Sequence, residues 1–232
     1  MPDDPYLRTR ALLGDVPLAA LRSAHVLLVG AGAVGGACIE ALARSGIGRL
    51  TVIDGDIFAP SNLNRQPFAA LATLGRPKAT AVAERLKEIA PGCSCAAIDA
   101  FVTDETAARL IAETAPDAVV DACDDVDAKI ALIRESVLAT VPVWSSMGAA
   151  RKLDPTALRV TDIAATQVCP LARSVRRRLR EIGIAKGVRC VWSSEPARPL
   201  SSDGTLGSFM PVTATAGLLL AGDVLRHLSG VD

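Results

Sequence analysis

Glycines at positions 30, 32 and 35 lie between an apolar, strand-like run and a stretch of helix-forming residues. Gly30 permits a tight turn, Gly32 lets backbone N–H groups approach a phosphate, and Gly35 lets the following helix pack closely. The positive N-terminal end of that helix would face the bound anion. A second apolar run ends in Asp54, where a carboxylate can hold a ribose. The pattern therefore predicts a nucleotide site, and its alternative is a strand-to-helix turn with no ligand.

The segment after this acidic residue is polar and punctuated by proline, whereas a dehydrogenase is expected to enter another crossover helix there. Arg65 can bind phosphate oxygens through two N–H groups, and Lys78 can place a point charge on the same triphosphate. Asn64 and Gln66 supply amides that orient a ligand. These residue types favour a triphosphate over a dinucleotide. The alternative is a solvated loop followed by a capped helix that begins near Pro77.

Carboxylates cluster where the next predicted strand ends, at the edge of the sheet where open α/β folds bind ligands. Asp121 and Asp124 offer hard oxygen ligands to Mg²⁺, which takes one or two protein carboxylates and completes its shell with water and phosphate. Asp124 is the first choice for the metal. Asp125 and Asp127 are instead predicted to cap a helix that starts near Ala128.

The elements that would position these residues alternate between strand and helix, which predicts an α/β fold. We expect a Rossmann-like, doubly wound and mainly parallel sheet with a βαβ nucleotide unit and a C-terminal strand and helix. The 232 residues, 50% of them hydrophobic, suit a single domain. Within it we expect a helical arm over about 1–24, a nucleotide-binding core over about 25–144, and a crossover segment with a closing helix over about 145–232. The apolar stretch 212–228 carries charges near its end, so it predicts a buried or dimer-interface helix and no membrane insertion.

The spacing of the cysteines indicates whether the chain has a zinc site, and their use indicates the redox state of its compartment. They are Cys38, Cys93, Cys95, Cys123, Cys169 and Cys190. None forms the paired Cys-x-x-Cys pattern of a zinc knuckle, so no zinc is expected. Because there is no signal sequence, we expect free thiols in a reducing, cytoplasmic environment.

Taken together, these segments resemble the ubiquitin-activating-enzyme-like adenylating superfamily, which includes ThiF, MoeB and HesA proteins. The matching residues are the glycine loop 30–35, Asp54 with Asp56, and the runs 61–66, 75–78 and 121–124. The resemblance implies binding of ATP and magnesium, and it leaves a monovalent cation site open. The residues that it implies for the ATP site are Gly30, Gly32, Gly35, Asp54, Asp56, Asn64, Arg65, Gln66, Lys78 and Asp121.

For catalysis, the resemblance implies that Arg65 and Lys78 neutralise the phosphates while Asp124 holds magnesium. Related dimers place an arginine from the N-terminal segment of one subunit on the partner's ATP, and Arg8 or Arg10 is the candidate in a homodimer of this chain. Relatives that form thioesters place a nucleophile where Cys169 precedes a proline. A catalytic role for this cysteine stays open, because no histidine neighbours it in sequence.

A closer resemblance, from about Leu12 almost to the C-terminus, is to the tRNA threonylcarbamoyladenosine dehydratases. It rests on stretches that include 40–48, 154–156, 188–195 and 207–217. It implies ATP-dependent dehydration of threonylcarbamoyladenosine in tRNA, by adenylation of the threonyl carboxylate and intramolecular ring closure. The alternative is an adenylyltransferase that activates the C-terminal glycine of a ubiquitin-like sulfur-carrier protein. A cysteine-desulfurase or sulfur-acceptor partner is left open.

Positive charge is concentrated over 173–189 in a chain whose formal net charge is zero. Such a patch would bind RNA phosphates with salt-sensitive affinity, while shape and the modified base would supply selection. The residues predicted to contact tRNA are Arg173, Arg176, Arg177, Arg178 and Arg180. The alternative is a charged, solvated helix face.

Overall fold

The structure is a computed structural model that describes residues 4–231. Its strands are β1 (His25–Val29), β2 (Arg49–Ile53), β3 (Ser94–Ile98), β4 (Ala118–Asp121), β5 (Val143–Ser146), β6 (Leu158–Asp162) and β7 (Arg189–Ser193). Its α-helices are α1 (Leu7–Leu13), α2 (Asp15–Ser23), α3 (Ala33–Arg44), α4 (Lys78–Ile89), α5 (Asp104–Thr114), α6 (Val126–Leu138), α7 (Pro170–Glu181) and α8 (Met210–Ser229).

All seven strands form one sheet with the order β3-β2-β1-β4-β5-β7-β6. The pairs among β1 to β5 and the pair β5 with β7 are parallel, and β6 runs antiparallel to β7 at the edge. The prediction of a Rossmann-like, mainly parallel α/β fold is therefore confirmed. After β3 the chain crosses to the other side of β1, so a crevice opens between the carboxyl ends of β1 and β4.

Helices cover both faces of the sheet and produce two apolar cores. Residues of α2, α3, α4 and α8 fill one core, and residues of α5, α6 and α7 fill the other. Strands β1 and β4 are buried along their whole length, which explains why their sequences are continuous apolar runs rather than alternating ones. This double cover fixes the strand ends that border the crevice.

Helix α8 includes the apolar stretch 212–228 and packs one face against α3. At Gly217 an added Cβ atom would lie 2.2 Å from the carbonyl oxygen of Val34, so only glycine permits this approach of the two helices. Among residues 4–231, no helix is long and apolar enough to span a bilayer.

The internal boundary expected near residue 144 falls inside β5, which continues to Ser146. This strand pairs with β4 on one side and with β7 on the other. The C-terminal region thus extends the same sheet instead of forming a separate layer, which the linear pattern of the sequence does not reveal. At the other end, α1 and α2 lie within the expected arm, 1–24.

Candidate active site

A cavity of about 1020 Å³ opens at the carboxyl ends of the central strands. Its nucleotide half is lined by residues from 29–34, 53–56 and 65–66, and by Lys78. Its distal half is lined by residues 146–152 and 169–171. The acidic segment after β4 lies in the lining between them. The cavity brings together the residues predicted for ATP except Gly35, Asn64 and Asp121, which lie outside its lining.

The glycine loop adopts the geometry that its sequence predicts. Gly30 has φ 94°, and its N–H donates to the carbonyl of Ile53. At Gly35 an added Cβ atom would lie 1.7 Å from the oxygen of Gly30, so the helix begins in direct contact with the loop. No side chain caps the start of α3 at Gly32. The uncapped N–H groups there are available to an anion in the cavity.

Asp54 is held by the backbone on both carboxylate oxygens. The N–H of Ala31 donates to Oδ2 at 2.6 Å, and the N–H of Asp56 donates to Oδ1 at 2.8 Å. Burial raises the pKa of Asp54 above its ordinary value, although these two hydrogen bonds and the charge of Lys78 act in the opposite direction. Each oxygen keeps a lone pair for a further donor, such as a ribose hydroxyl.

Lys78 is the first residue of α4, and its side chain is only 8% exposed. Its Nζ donates to Oδ2 of Asp56 at 2.9 Å, and its backbone N–H donates to the carbonyl of the same residue. The carboxylate of Asp56 is 57% exposed on the cavity side of this pair. The protein alone therefore fixes the orientation of this ammonium group.

Arg65, Asn64 and Gln66 were all predicted to contact the ligand, but their side chains have different surroundings in the structure. Arg65 Nη1 donates to the carbonyl of Ser61 at 2.8 Å and to Oδ1 of Asn64 at 2.9 Å, which leaves its other N–H groups for a ligand. Asn64 Nδ2 donates to the carbonyl of Ser208 at 2.9 Å, so this amide braces two loops instead of lining the cavity. Gln66 is buried in the lining, and its Oε1 has no partner among residues 4–231.

Asp121 lies at the end of β4 as predicted, but its side chain does not face the cavity. Its side chain is fully buried and accepts a hydrogen bond from Lys129 Nζ at 2.6 Å and from Ser145 Oγ at 2.5 Å. Lys129 is equally buried and also donates to the carbonyl of Ser146 at 3.1 Å. The predicted contact with ATP is therefore corrected: the neighbouring strand and α6 turn this carboxylate into the protein.

The three following carboxylates have different surroundings. Asp124 is exposed in the cavity lining. Asp125 accepts a hydrogen bond from the N–H of Ala128 at 2.8 Å, which confirms its predicted role as a cap. The helix begins at Val126, two residues earlier than expected, so Asp127 lies in the first turn and is not the cap. Among residues 4–231, no group of three or more His, Cys, Asp or Glu side chains forms a metal site.

Hydrogen bonds tie the distal half to the long loop before α8. Arg151, with φ 60°, donates its N–H to the carbonyl of Gly207 and accepts at its own carbonyl from the N–H of Arg198. Lys152 is only 3% exposed, and its Nζ donates to the carbonyl of Glu195. Both side chains line the cavity.

Cys169 lies in the distal half and is 3% exposed. The cavity lining contains no histidine. The residue before it, Val168, has φ 58°, a left-handed conformation that is unfavourable for a β-branched side chain and that is more frequent at functional sites. The structure thus places Cys169 at the site, and its catalytic role stays a hypothesis.

The basic segment forms α7, and its arginines fall into two sets. Arg176 donates to the carbonyl and hydroxyl of Thr166. Arg178 pairs with Asp127 of α6 at 2.6 Å. The other predicted tRNA contacts, Arg173, Arg177 and Arg180, have exposed side chains.

Three lining residues, Phe101, Arg151 and Lys152, stand out among those that were not predicted from the sequence. Arg151 and Lys152 follow β5 in a segment without a recognisable motif, and Phe101, 67% exposed, packs over Gly55 at the rim of the nucleotide half.

The chain matches the model of the ThiF family over residues 6–232. The tRNA threonylcarbamoyladenosine dehydratase of Bacillus subtilis is 35% identical over 241 residues, which cover 96% of this chain and 94% of that protein. The Escherichia coli tRNA N6-threonylcarbamoyladenosine dehydratase, solved in complex with AMP, is similar with a TM-score of 0.92 and 37% identity over 97% of this chain and 94% of that chain. Its complex with ATP gives a TM-score of 0.91.

The molybdopterin-synthase adenylyltransferase of Escherichia coli is similar over a shorter region. It is 37% identical over 135 residues, which are 58% of this chain and 53% of that protein. The similarity to the dehydratases extends over 96–97% of this chain and so includes both halves of the cavity. The chain belongs to the ThiF family, and within that family it resembles the tRNA threonylcarbamoyladenosine dehydratases over nearly its whole length.

Proposed function

We propose that this protein is an ATP-dependent tRNA threonylcarbamoyladenosine dehydratase. It adenylates the threonyl carboxylate of the modified adenosine and then closes a ring within the same nucleoside, with net loss of water. The observation that carries the proposal is a single cavity in which the phosphate-binding loop, Arg65 and Lys78 adjoin a second, largely buried half. Similarity to dehydratases along both halves supports this substrate.

The first step makes the carboxylate reactive. A carboxylate is a poor electrophile because oxide is a poor leaving group. One carboxylate oxygen attacks the α-phosphorus of ATP, the bond to the β-phosphate breaks, and pyrophosphate leaves. The N–H groups at the start of α3, together with Arg65 and Lys78, stabilise the negative charge on the phosphates. Asp54 accepts hydrogen bonds from the ribose.

The second step expels AMP. A nitrogen of the substrate's own ureido group attacks the activated carbonyl carbon and a C–N bond forms. The bond from carbon to the AMP oxygen breaks, AMP leaves, and the proton of the nitrogen passes to solvent. Because nucleophile and electrophile belong to one molecule, orientation and exclusion of water can supply much of the acceleration. The buried wall of the distal half serves both needs, and the step requires no protein nucleophile.

Asp124 is the residue that we propose for magnesium. Its carboxylate lines the cavity and is exposed, whereas Asp125 caps α6 and Asp127 pairs with Arg178. One or two protein carboxylates suffice for Mg²⁺ when phosphates and water complete its coordination shell. Asp124 therefore fits the ion without a larger cluster of carboxylates. When bound, the ion would neutralise phosphate charge.

We propose a homodimer in which Arg8 reaches the partner's ATP. Arg10 is already paired with Asp4 at 2.7 Å and with Asp15 at 3.0 Å. Arg8 is exposed and forms no ion pair among residues 4–231.

For the tRNA, the exposed arginines of α7 are the proposed phosphate contacts, whereas Arg176 and Arg178 stabilise the protein. A tRNA substrate and free cysteines suit the cytoplasm.

The test uses ATP, magnesium and tRNA that carries threonylcarbamoyladenosine, with nucleoside mass spectrometry as the readout. We expect the nucleoside to lose one water when ATP is present. Arg65→Ala and Asp124→Ala should each reduce the rate about 100-fold or more, because each removes transition-state charge stabilisation. Arg85→Ala, on the exposed face of α4, should retain wild-type activity. No loss of water with the wild-type protein would refute the proposal.

The second candidate is activation of the C-terminal glycine of a ubiquitin-like carrier protein. Burial of Cys169 inside the cavity, beside a strained backbone residue, favours it, since carrier activation can use a thioester. ATP cleavage that depends on a carrier protein, and that is insensitive to modified tRNA, would support this candidate over the dehydratase.

A further inference from the structure

Lys152 is a buried cation in the distal half, and the phosphate chemistry does not use it. It lies six residues after the last residue of β5 and is 3% exposed. Its side chain forms part of the cavity wall. Its backbone is held by Arg151, whose N–H and carbonyl both bind the loop before α8. The position of the ammonium is therefore set by the fold and not by solvent.

The hydrogen bonds of Lys152 leave its charge without a counter-ion. Its Nζ donates to the main-chain carbonyl of Glu195, and it forms no ion pair with a carboxylate among residues 4–231. The carboxylate of Glu195 is occupied elsewhere, because it accepts from the N–H groups of Leu153 and Asp154. A buried charge that lacks an ion pair is costly, so such groups are normally paired or bound to a ligand.

Lys129 provides the comparison inside the same protein. It is also buried, but its Nζ lies 2.6 Å from Oδ2 of Asp121. The pKa of Lys129 is raised, since the nearby carboxylate outweighs burial. Burial lowers the pKa of Lys152, helped by Arg151, even though Cys169 and Glu195 act in the opposite direction. Lys152 thus lacks the anion that Lys129 has.

We propose that Lys152 binds the carboxylate of the substrate before adenylation, and so selects an acid at this position. The inference rests on the proposed function, which requires a carboxylate in the cavity beside the nucleotide. The ammonium would donate to one carboxylate oxygen and leave the other free to attack ATP. No proton or covalent bond is exchanged with the lysine. The substrate carboxylate would then be the counter-ion of the Lys152 ammonium.

The experiment measures recognition of charge separately from catalysis. Two anticodon stem-loops are compared, one carrying threonylcarbamoyladenosine and the other carrying its neutral carboxamide, and binding is measured by fluorescence anisotropy without ATP. We expect the wild-type protein to prefer the acid by about tenfold to a hundredfold. Lys152→Met, which keeps the apolar stem, should bind both equally. Lys152→Arg should retain part of the preference, since it retains the charge.

Lys87→Met makes the same change at an exposed position of α4 outside the cavity lining and should behave as wild type. A Lys152→Met protein that still prefers the acid as strongly as wild type would overturn the inference, as would a wild-type protein without preference. Binding of the carboxamide by Lys152→Met shows that the variant is folded; if it does not fold, Lys152→Gln replaces it, with a smaller expected loss. Dehydration of the acid stem-loop by the wild type, measured in parallel, tests the proposed function independently.

Discussion

The two halves of the cavity are built in different ways. In the nucleotide half, Asp54 is held by N–H groups at positions 31 and 56 and Lys78 by Asp56, so the partners of these two side chains lie within 23 residues of them in the sequence. In the distal half, the contacts join distant segments, as Arg151 does with Gly207. Under the proposed function, the groups that bind ATP are positioned mainly by contacts within residues 30–78, whereas the groups that recognise the substrate are positioned by loops from distant parts of the sequence.

The largest effect is expected where the two halves meet, because Lys129 joins the end of β4 to the end of β5 there. Lys129→Met should lower the free energy of unfolding by about 3–5 kcal/mol, because the carboxylate of Asp121 remains buried without its partner. Urea denaturation measures the change. The double variant Asp121→Leu/Lys129→Met should recover most of it; a double variant as unstable as the single one would contradict the electrostatic explanation.

The next largest effect is expected for a substitution in the glycine loop of the nucleotide half. Gly35→Ala places a Cβ atom 1.7 Å from the Gly30 oxygen and must move the phosphate loop, so kcat/KM for dehydration should fall about 100-fold. Gly222→Ala in α8, where an added Cβ atom meets nothing within 4 Å, is the matched control. It should keep full activity and gain about 0.5–1 kcal/mol of stability. Equal activity of the two variants would show that the loop tolerates displacement.

A polar cluster outside both halves should affect stability alone. Asp223 accepts hydrogen bonds from Trp144 Nε1 and from Arg189 and Arg226. Burial raises the pKa of Asp223, but these donors outweigh it and hold the pKa below its ordinary value. Its contribution is therefore complete above about pH 4, the unfolded pKa, and is lost as the pH falls through the lower folded pKa.

Asp223→Asn should accordingly cost about 1–2 kcal/mol at pH 7, with kcat/KM for dehydration within twofold of wild type. The difference from wild type should vanish in acid, as measured by thermal unfolding from pH 7 to pH 2. A difference that persists unchanged at pH 2 would refute the role of the carboxylate charge.

The smallest effects are expected on α7, where two sets of arginines can be compared. Arg177→Ala should weaken tRNA binding a few-fold and reduce the slope of log K against log salt by about 0.9, because one phosphate contact is lost. Arg178→Ala should instead cost at most about 1 kcal/mol of stability, since its pair with Asp127 is largely exposed. Filter binding over a salt series, with unfolding measured alongside, distinguishes them. Identical salt slopes for wild type and Arg177→Ala would remove this residue from the interface.

Local geometry explains which predictions could be made from the sequence. The turn at Gly30 and the close helix packing at Gly35 were predicted correctly because a strand-to-helix turn imposes its conformation within a few residues, and the cap at Asp125 because a cap contacts the helix that it precedes. Asp121 was assigned wrongly because its orientation depends on Lys129, one helix turn into α6, and on Ser145 of the next strand.

The distal half could not be predicted for the same reason. Lys152 has no neighbours in sequence that mark it, and its burial arises when the loop at Glu195 folds over it. The antiparallel direction of β6 also depends on its pairing with β7. These two strands are separated by 26 residues in the sequence, so the pairing cannot be predicted from a local pattern.

The contact between Gly217 and Val34 makes the cavity sensitive to changes in a helix that is remote in sequence. Helix α8 supports the first turn of α3, whose N–H groups border the cavity. A methyl group at position 217 would push the two helices apart, and the start of α3 would move with its helix. A substitution outside the cavity lining can therefore distort the glycine loop without touching any residue of it.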